Sequence, residues 1–176
     1  MSATLQIVER IGDETELLTS GGYVHLLNSD VHSPQTPDGY SPLLLSHRNP
    51  YSYERWIRAR FTGTYLSVRA TKFWADNLVV PSGWAVKYGI TDTWAPPVAT
   101  ASSIATTNVP RTIPSTSNVD DTGVLTGPGE NYSKWIVIQA HVTNFSAITP
   151  GPLLGSTGTE VVIPTMIHYH FGWIES

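Results

Sequence analysis

The chain has no cysteine, so no disulfide can hold it together. At 176 residues it needs none, because a single domain of that length buries roughly 70% of the surface its unfolded chain exposes. The lack of cysteine also fits folding in a reducing cytosol. Charge is scarce too. Asp, Glu, Lys and Arg make up 14% of the residues and the net charge is −4. No basic block exceeds two residues, which excludes a nucleic-acid footprint. Apolar runs stop at four or five residues, as in Trp135-Ile136-Val137-Ile138. A bilayer-spanning helix needs about 20, so no membrane helix is expected. Met1-Ser2-Ala3-Thr4-Leu5 has no basic region leading into an apolar one, so no secretory signal is expected there. The sequons Asn131-Tyr132-Ser133 and Asn144-Phe145-Ser146 then read as chance. Catalytic signatures are missing as well: there is no G-x-S-x-G elbow, no Walker loop and no H-E-x-x-H. Asp120-Asp121 and Gly127-Pro128-Gly129-Glu130 read as turns. No enzyme is expected.

Aromatic side chains are abundant, with 6 Trp, 8 Tyr and 4 Phe, and many sit on runs that alternate with period two. In the last run, Ile167, Tyr169, Phe171 and Trp173 interleave with Met166, His168 and His170. That is the pattern of a strand with one buried face. Similar runs cover residues 3–11, 23–28, 53–61, 65–74, 84–90, 134–143 and 160–164, giving about eight strands and no amphipathic helix. Residues 134–143 are apolar on both faces at their start, as a central strand would be. Two long stretches, 29–51 and 92–131, are rich in Pro, Ser, Thr, Gly and Asn and read as loops or straps. The fold class is therefore all-β, an antiparallel β-sandwich or jelly roll with long Pro/Ser/Thr-rich loops. Residues 21–176 make the single sandwich domain, and residues 1–20 an N-terminal strand or docking arm. The alternation assigns Tyr53, Ile57, Phe61, Trp84, Val86, Tyr88, Tyr169, Phe171 and Trp173 to the core. Interface candidates are Leu5 and Ile7 on the arm, Leu43 and Leu44 on the first strap, and Trp94, exposed in Thr93-Trp94-Ala95-Pro96-Pro97.

Two groups carry possible chemistry. His168 and His170, at i and i+2 of a strand, share a face and can share a metal. With Glu175 they match the H-x-H-x4-E pattern of cupin metal sites, but a second motif downstream is missing. His141 supplies a third ligand only if its strand is a neighbour in the right register. The expectation is no metal and no cofactor. Arg58 and Arg60 form a second i, i+2 pair beside Trp56; the reading is a solvated or interfacial face, paired with Glu54 and acidic residues of loops or neighbouring chains.

The run from Tyr53 to Tyr65 (Tyr-Glu-Arg-Trp-Ile-Arg-Ala-Arg-Phe-Thr-Gly-Thr-Tyr), then Lys72-Phe73-Trp74 and Gly83-Trp84-Ala85-Val86-Lys87-Tyr88-Gly89, resembles β-sandwich virion structural proteins of tailed bacteriophages. The resemblance covers roughly residues 50–175 and rests on fold-forming positions, so it carries over no functional residue. It implies a particle protein made in the host cytoplasm and resident in the virion. Together with the small acidic domain it suggests a non-enzymatic decoration or cement protein of the capsid. Its partners would be copies of itself and the major capsid protein, without nucleic acid or membrane. The alternative is a tail or fibre component that binds host glycan through exposed aromatics; a cupin-like metal protein ranks below both.

Overall fold

The alternating runs become antiparallel strands. The structure, a computed structural model, describes residues 2–19, 23–27, 29–32, 45, 48–76, 78, 80, 82–119, 123–147 and 166–176. In chain order the strands are β1 (Ala3–Arg10), β2 (Glu16–Thr19), β3 (Tyr23–His25), β4 (Arg55–Gly63), β5 (Ser67–Ala75), β6 (Trp84–Thr91), β7 (Thr107–Asn108), β8 (Val124–Thr126), β9 (Asn131–Tyr132), β10 (Trp135–Val142) and β11 (Met166–Glu175). Among the described residues the only helical turn is a short 3-10 turn at Phe145–Ala147. Two sheets form. The larger runs β2-β1-β4-β10-β6-β7, with β9 also paired to β4, and the smaller runs β3-β11-β5-β8.

The sheets pack face to face as a sandwich. From the larger sheet, Ile7, Ile57, Ala59, Phe61, Val86, Tyr88, Ile136 and Ile138 point inward; Val24, Val68, Phe73, Ala75, Tyr169 and Phe171 meet them from the smaller one. Phe73 is the hub, with ring centroids 5.6 Å from Tyr88 across the gap and 5.0 and 5.5 Å from Tyr169 and Phe171. Phe61 meets Trp173 edge-on at 5.5 Å. Removing one such ring costs about 3–5 kcal/mol, a large part of a domain's stability. Trp84 and Trp173 are half-buried against this core. Tyr53 is not part of it: β4 begins only at Arg55, and Tyr53 lies half-buried ahead of the strand. The core-facing position before Ile57 belongs to Arg55.

Residues 92–131 were expected to be extended or loop, and their described part holds two coverings with β7 between them and β8 and β9 after the second. The first, 94–105, lies on the outer face of the larger sheet. There Trp56, Trp135, Val137 and Ala105 form a second small core, with Trp94 and Ile104 against it. Gln139 pins this strap. Its buried amide donates to the carbonyls of Ser52 (2.9 Å) and Thr100 (2.8 Å), and its oxygen accepts from Ser102 N (3.0 Å). Gly89 on β6 permits the approach, since a Cβ there would stand 1.8 Å from the Ile104 carbonyl oxygen. The second covering, 109–119, takes the place of a strand along the far edge of β5. Ala75 N donates to Pro110 O at 2.8 Å, and the Asn118 side chain bonds both the N–H and the carbonyl of Phe73 at 2.8 Å. Along this edge β8 pairs with Ser67 to Arg69, and the loop supplies the hydrogen bonds at Phe73 and Ala75.

The N-terminal segment, expected as a strand or docking arm, carries a strand of the larger sheet. β1 lies between β2 and β4, paired with β4 over its whole length from Ala3↔Gly63 to Arg10↔Trp56. Ile7 is buried in the main core and Leu5 packs against it, so both proposed interface leucine and isoleucine face inward. Leu43, Leu44 and the strand expected at 160–164 lie outside the described residues.

Two outcomes are expected. Deletion of residues 1–11 removes an inner strand and should abolish the cooperative thermal melt; a truncated chain that melts like the parent would restore the arm. Gly89→Ala should push the strap away, costing about 1–3 kcal/mol by chemical denaturation, with a red shift in tryptophan emission as Trp56 and Trp135 gain water. Unchanged stability and emission would mean that the strap yields freely.

Candidate functional site

The outer face of the smaller sheet carries the most concentrated chemistry. β11 presents His168 and His170 on one side, and β5 runs antiparallel beside it with His170 opposite Trp74 and Tyr169 opposite Ala75. Asp76 follows Ala75 and so stands across from His168. Its carboxylate lies 2.9 Å from His170 Nε2 and 3.6 Å from His168 Nδ1. The two imidazoles meet edge-on with centroids 4.3 Å apart, and Trp74 stacks on His170 at 5.2 Å with planes 16° apart. One ligand atom from each of Asp76, His168 and His170 falls within 4.8 Å of the others.

The cupin spacing is not what assembles this cluster. Glu175 lies past an irregularity between Gly172 and Ile174, and its carboxylate accepts from Ala3 N at 3.0 Å. His141 is on β10 of the other sheet, stacked on Tyr51 at 5.3 Å. The third ligand is instead Asp76, at the end of a different strand. A sequence signal for it exists only once β5 is known to pair with β11, which places residue 76 opposite residue 168.

The arginine pair sits on the outer face of the larger sheet, and its partners are within the chain. Arg58 Nη2 donates to both oxygens of Glu16 at 2.9 and 3.1 Å, and its guanidinium lies between the rings of Tyr132 (3.8 Å) and Trp135 (4.3 Å). Arg60 pairs with Glu130. Glu54, the partner expected for them, instead accepts from Trp56 Nε1 at 3.0 Å. Trp94 does not form an exposed platform. It is half-buried against Trp56 at 6.4 Å, with the Arg10 guanidinium 4.3 Å above its ring.

Inside one end of the sandwich lies an ionic cluster. Glu9 and Arg55, each 1% exposed, form an ion pair, and Arg55 also donates to Val31 O at 2.6 Å. Breaking such a pair by removing one member costs about 3–5 kcal/mol, because the other charge stays buried. His25 is buried nearby, and desolvation holds its pKa below 6.5 despite the pull of Glu9. Burial pushes the Tyr169 hydroxyl well above 10. His141 is also held below 6.5, by burial and then by Lys87. A cleft of about 430 Å³ opens beside β6, lined by Leu78, Val80, Trp84, Val86, Asn108 and Arg111 among others.

Comparison of the chain with protein-family models, with curated proteins and with solved structures finds no match in any of the three.

His25 and His141 set a pH dependence. Both bind a proton less readily in the folded chain than in the unfolded one. Stability is therefore complete above pH 6.5 and falls as the pH drops below that value toward the folded-state pKa values. The urea midpoint should decline between about pH 7 and 5, and the decline should flatten in a His25→Asn/His141→Asn variant. A midpoint that stays level in the parent would count against both assignments.

Proposed function

We propose that the chain is a non-enzymatic structural protein of a tailed-phage particle, a decoration protein that docks on the head surface beside copies of itself. One observation carries the docking. Among the described residues β2 is the last strand of the larger sheet, and its consecutive side chains Leu17 and Leu18, on opposite faces, are 45% and 43% exposed. Sheet edges are ordinarily guarded by Lys, Pro, a bulge or a cover. The described part of β2 carries no Lys or Pro, and its one charge, Glu16, is drawn back onto Arg58. The two exposed leucines offer apolar contact to a partner surface. The resemblance to phage virion proteins gives the setting, and the low charge suits recognition by shape and backbone over electrostatic steering.

The test is immuno-electron microscopy of the parent particle, followed by binding of the purified chain to heads stripped of it. Decoration of the head surface is expected. Leu17→Lys/Leu18→Lys should keep the parent melt, since both side chains are exposed, and weaken head binding by about tenfold or more, the equivalent of roughly 1.4 kcal/mol. Labelling confined to the tail would move the protein there, and absence from the particle would end the reading.

A further inference from the structure

We propose that Asp76, His168 and His170 bind one divalent transition-metal ion of the zinc, nickel and copper group on the outer face of the smaller sheet. The inference stands apart from head docking, which involves the other sheet. Two imidazoles and one carboxylate form a donor set suited to these ions; magnesium and calcium take all-oxygen sites instead. The backbone brings the donors together. The i, i+2 spacing on β11 puts both rings on one side of the strand, and the β5–β11 pairing sets Asp76 across from His168. His170 Nε2 and His168 Nδ1 both face the Asp76 carboxylate, at 2.9 and 3.6 Å.

The dimensions fit after small rotations. Bonds of about 2.0–2.1 Å in a tetrahedral site place ligand atoms roughly 3.3 Å apart. The three atoms here lie within 4.8 Å of one another, so the widest gap has to close by a rotation of surface side chains. These side chains are 30–43% exposed, which leaves room for that motion and for water in the open coordination position. The stacked Trp74 ring holds His170 in plane and limits the motion to Asp76 and His168. Bound there, the ion ties the end of β5 to β11 and adds to the stability of the smaller sheet.

The chain, stripped with chelator and then dialysed, would be titrated with Zn²⁺ by calorimetry. One ion per chain is expected, with a rise in Tm. Asp76→Asn, His168→Gln and His170→Gln should each weaken binding by more than about tenfold, the loss seen even for an outer-shell partner. His141→Gln should leave it unchanged. Mg²⁺ and Ca²⁺ should give no heat at the same site. No Zn²⁺ uptake by the parent chain, or uptake that survives in the His168→Gln/His170→Gln double variant, would overturn the site. Unchanged affinity in Asp76→Asn would overturn the three-ligand arrangement.

Discussion

The side-chain amide of Gln139 holds the larger sheet's outer face in place. Its bonds to Ser52, Thr100 and Ser102 fix the 94–105 strap over β4, β10 and β6. Under that strap Trp56, Trp135 and Val137 are dry, so the middle of the larger sheet is buried on both faces. A sandwich strand with two buried faces needs polar groups that are fully bonded, because an unmet buried amide costs as much as a lost hydrogen bond. Gln139 meets this demand, and Gly89 removes the side chain that would hold the strap off. Gln139 and Gly89 together keep the strap closed over β4, β10 and β6.

Much of the fold is legible in period-two alternation. Ile57, Phe61, Val86, Tyr88, Tyr169 and Phe171 are buried on the faces that alternation assigns them. The same rule places Arg55 on the core side of β4, where burial is viable only because Glu9 arrives from β1. No local pattern announces that partner, 46 residues away in sequence. β2, β7, β8 and β9 are too short to show a period. Trp94 and the strap read as exposed because a loop's target is set by tertiary packing, with no trace in its own composition. The candidate site was half visible: the spacing of His168 and His170 shows a shared face, whereas Asp76 depends on strand register, which hydrophobic pattern alone does not number.

Charge on this protein is spent largely inside the chain. Arg55 meets Glu9, Arg58 meets Glu16, Arg60 meets Glu130, and Arg10 meets Glu14. Exposed pairs of this kind add little to stability, but they quiet the surface they cover. Arg58 between Tyr132 and Trp135 is held by flat stacking as well as by its carboxylate, so that part of the outer face is stiff. Exposed apolar residues include Leu17 and Leu18 on β2, beside Glu16, and Leu66, Val124 and Ile174 on the smaller sheet's side. Ionic pairs and exposed apolar side chains thus meet at β2, where Glu16 pairs with Arg58 next to Leu17.

The bond from Ala3 N to the Glu175 carboxylate brings the first strand and the last to one corner. β2 pairs with Ile7 to Arg10, the opposite end of β1, displaced from Ala3 by roughly 13 Å or more at the rise of an extended chain. For protein engineering this makes the corner a mounting point. A label attached to Ser2 or Ser176, both exposed, emerges from the same corner, away from β2.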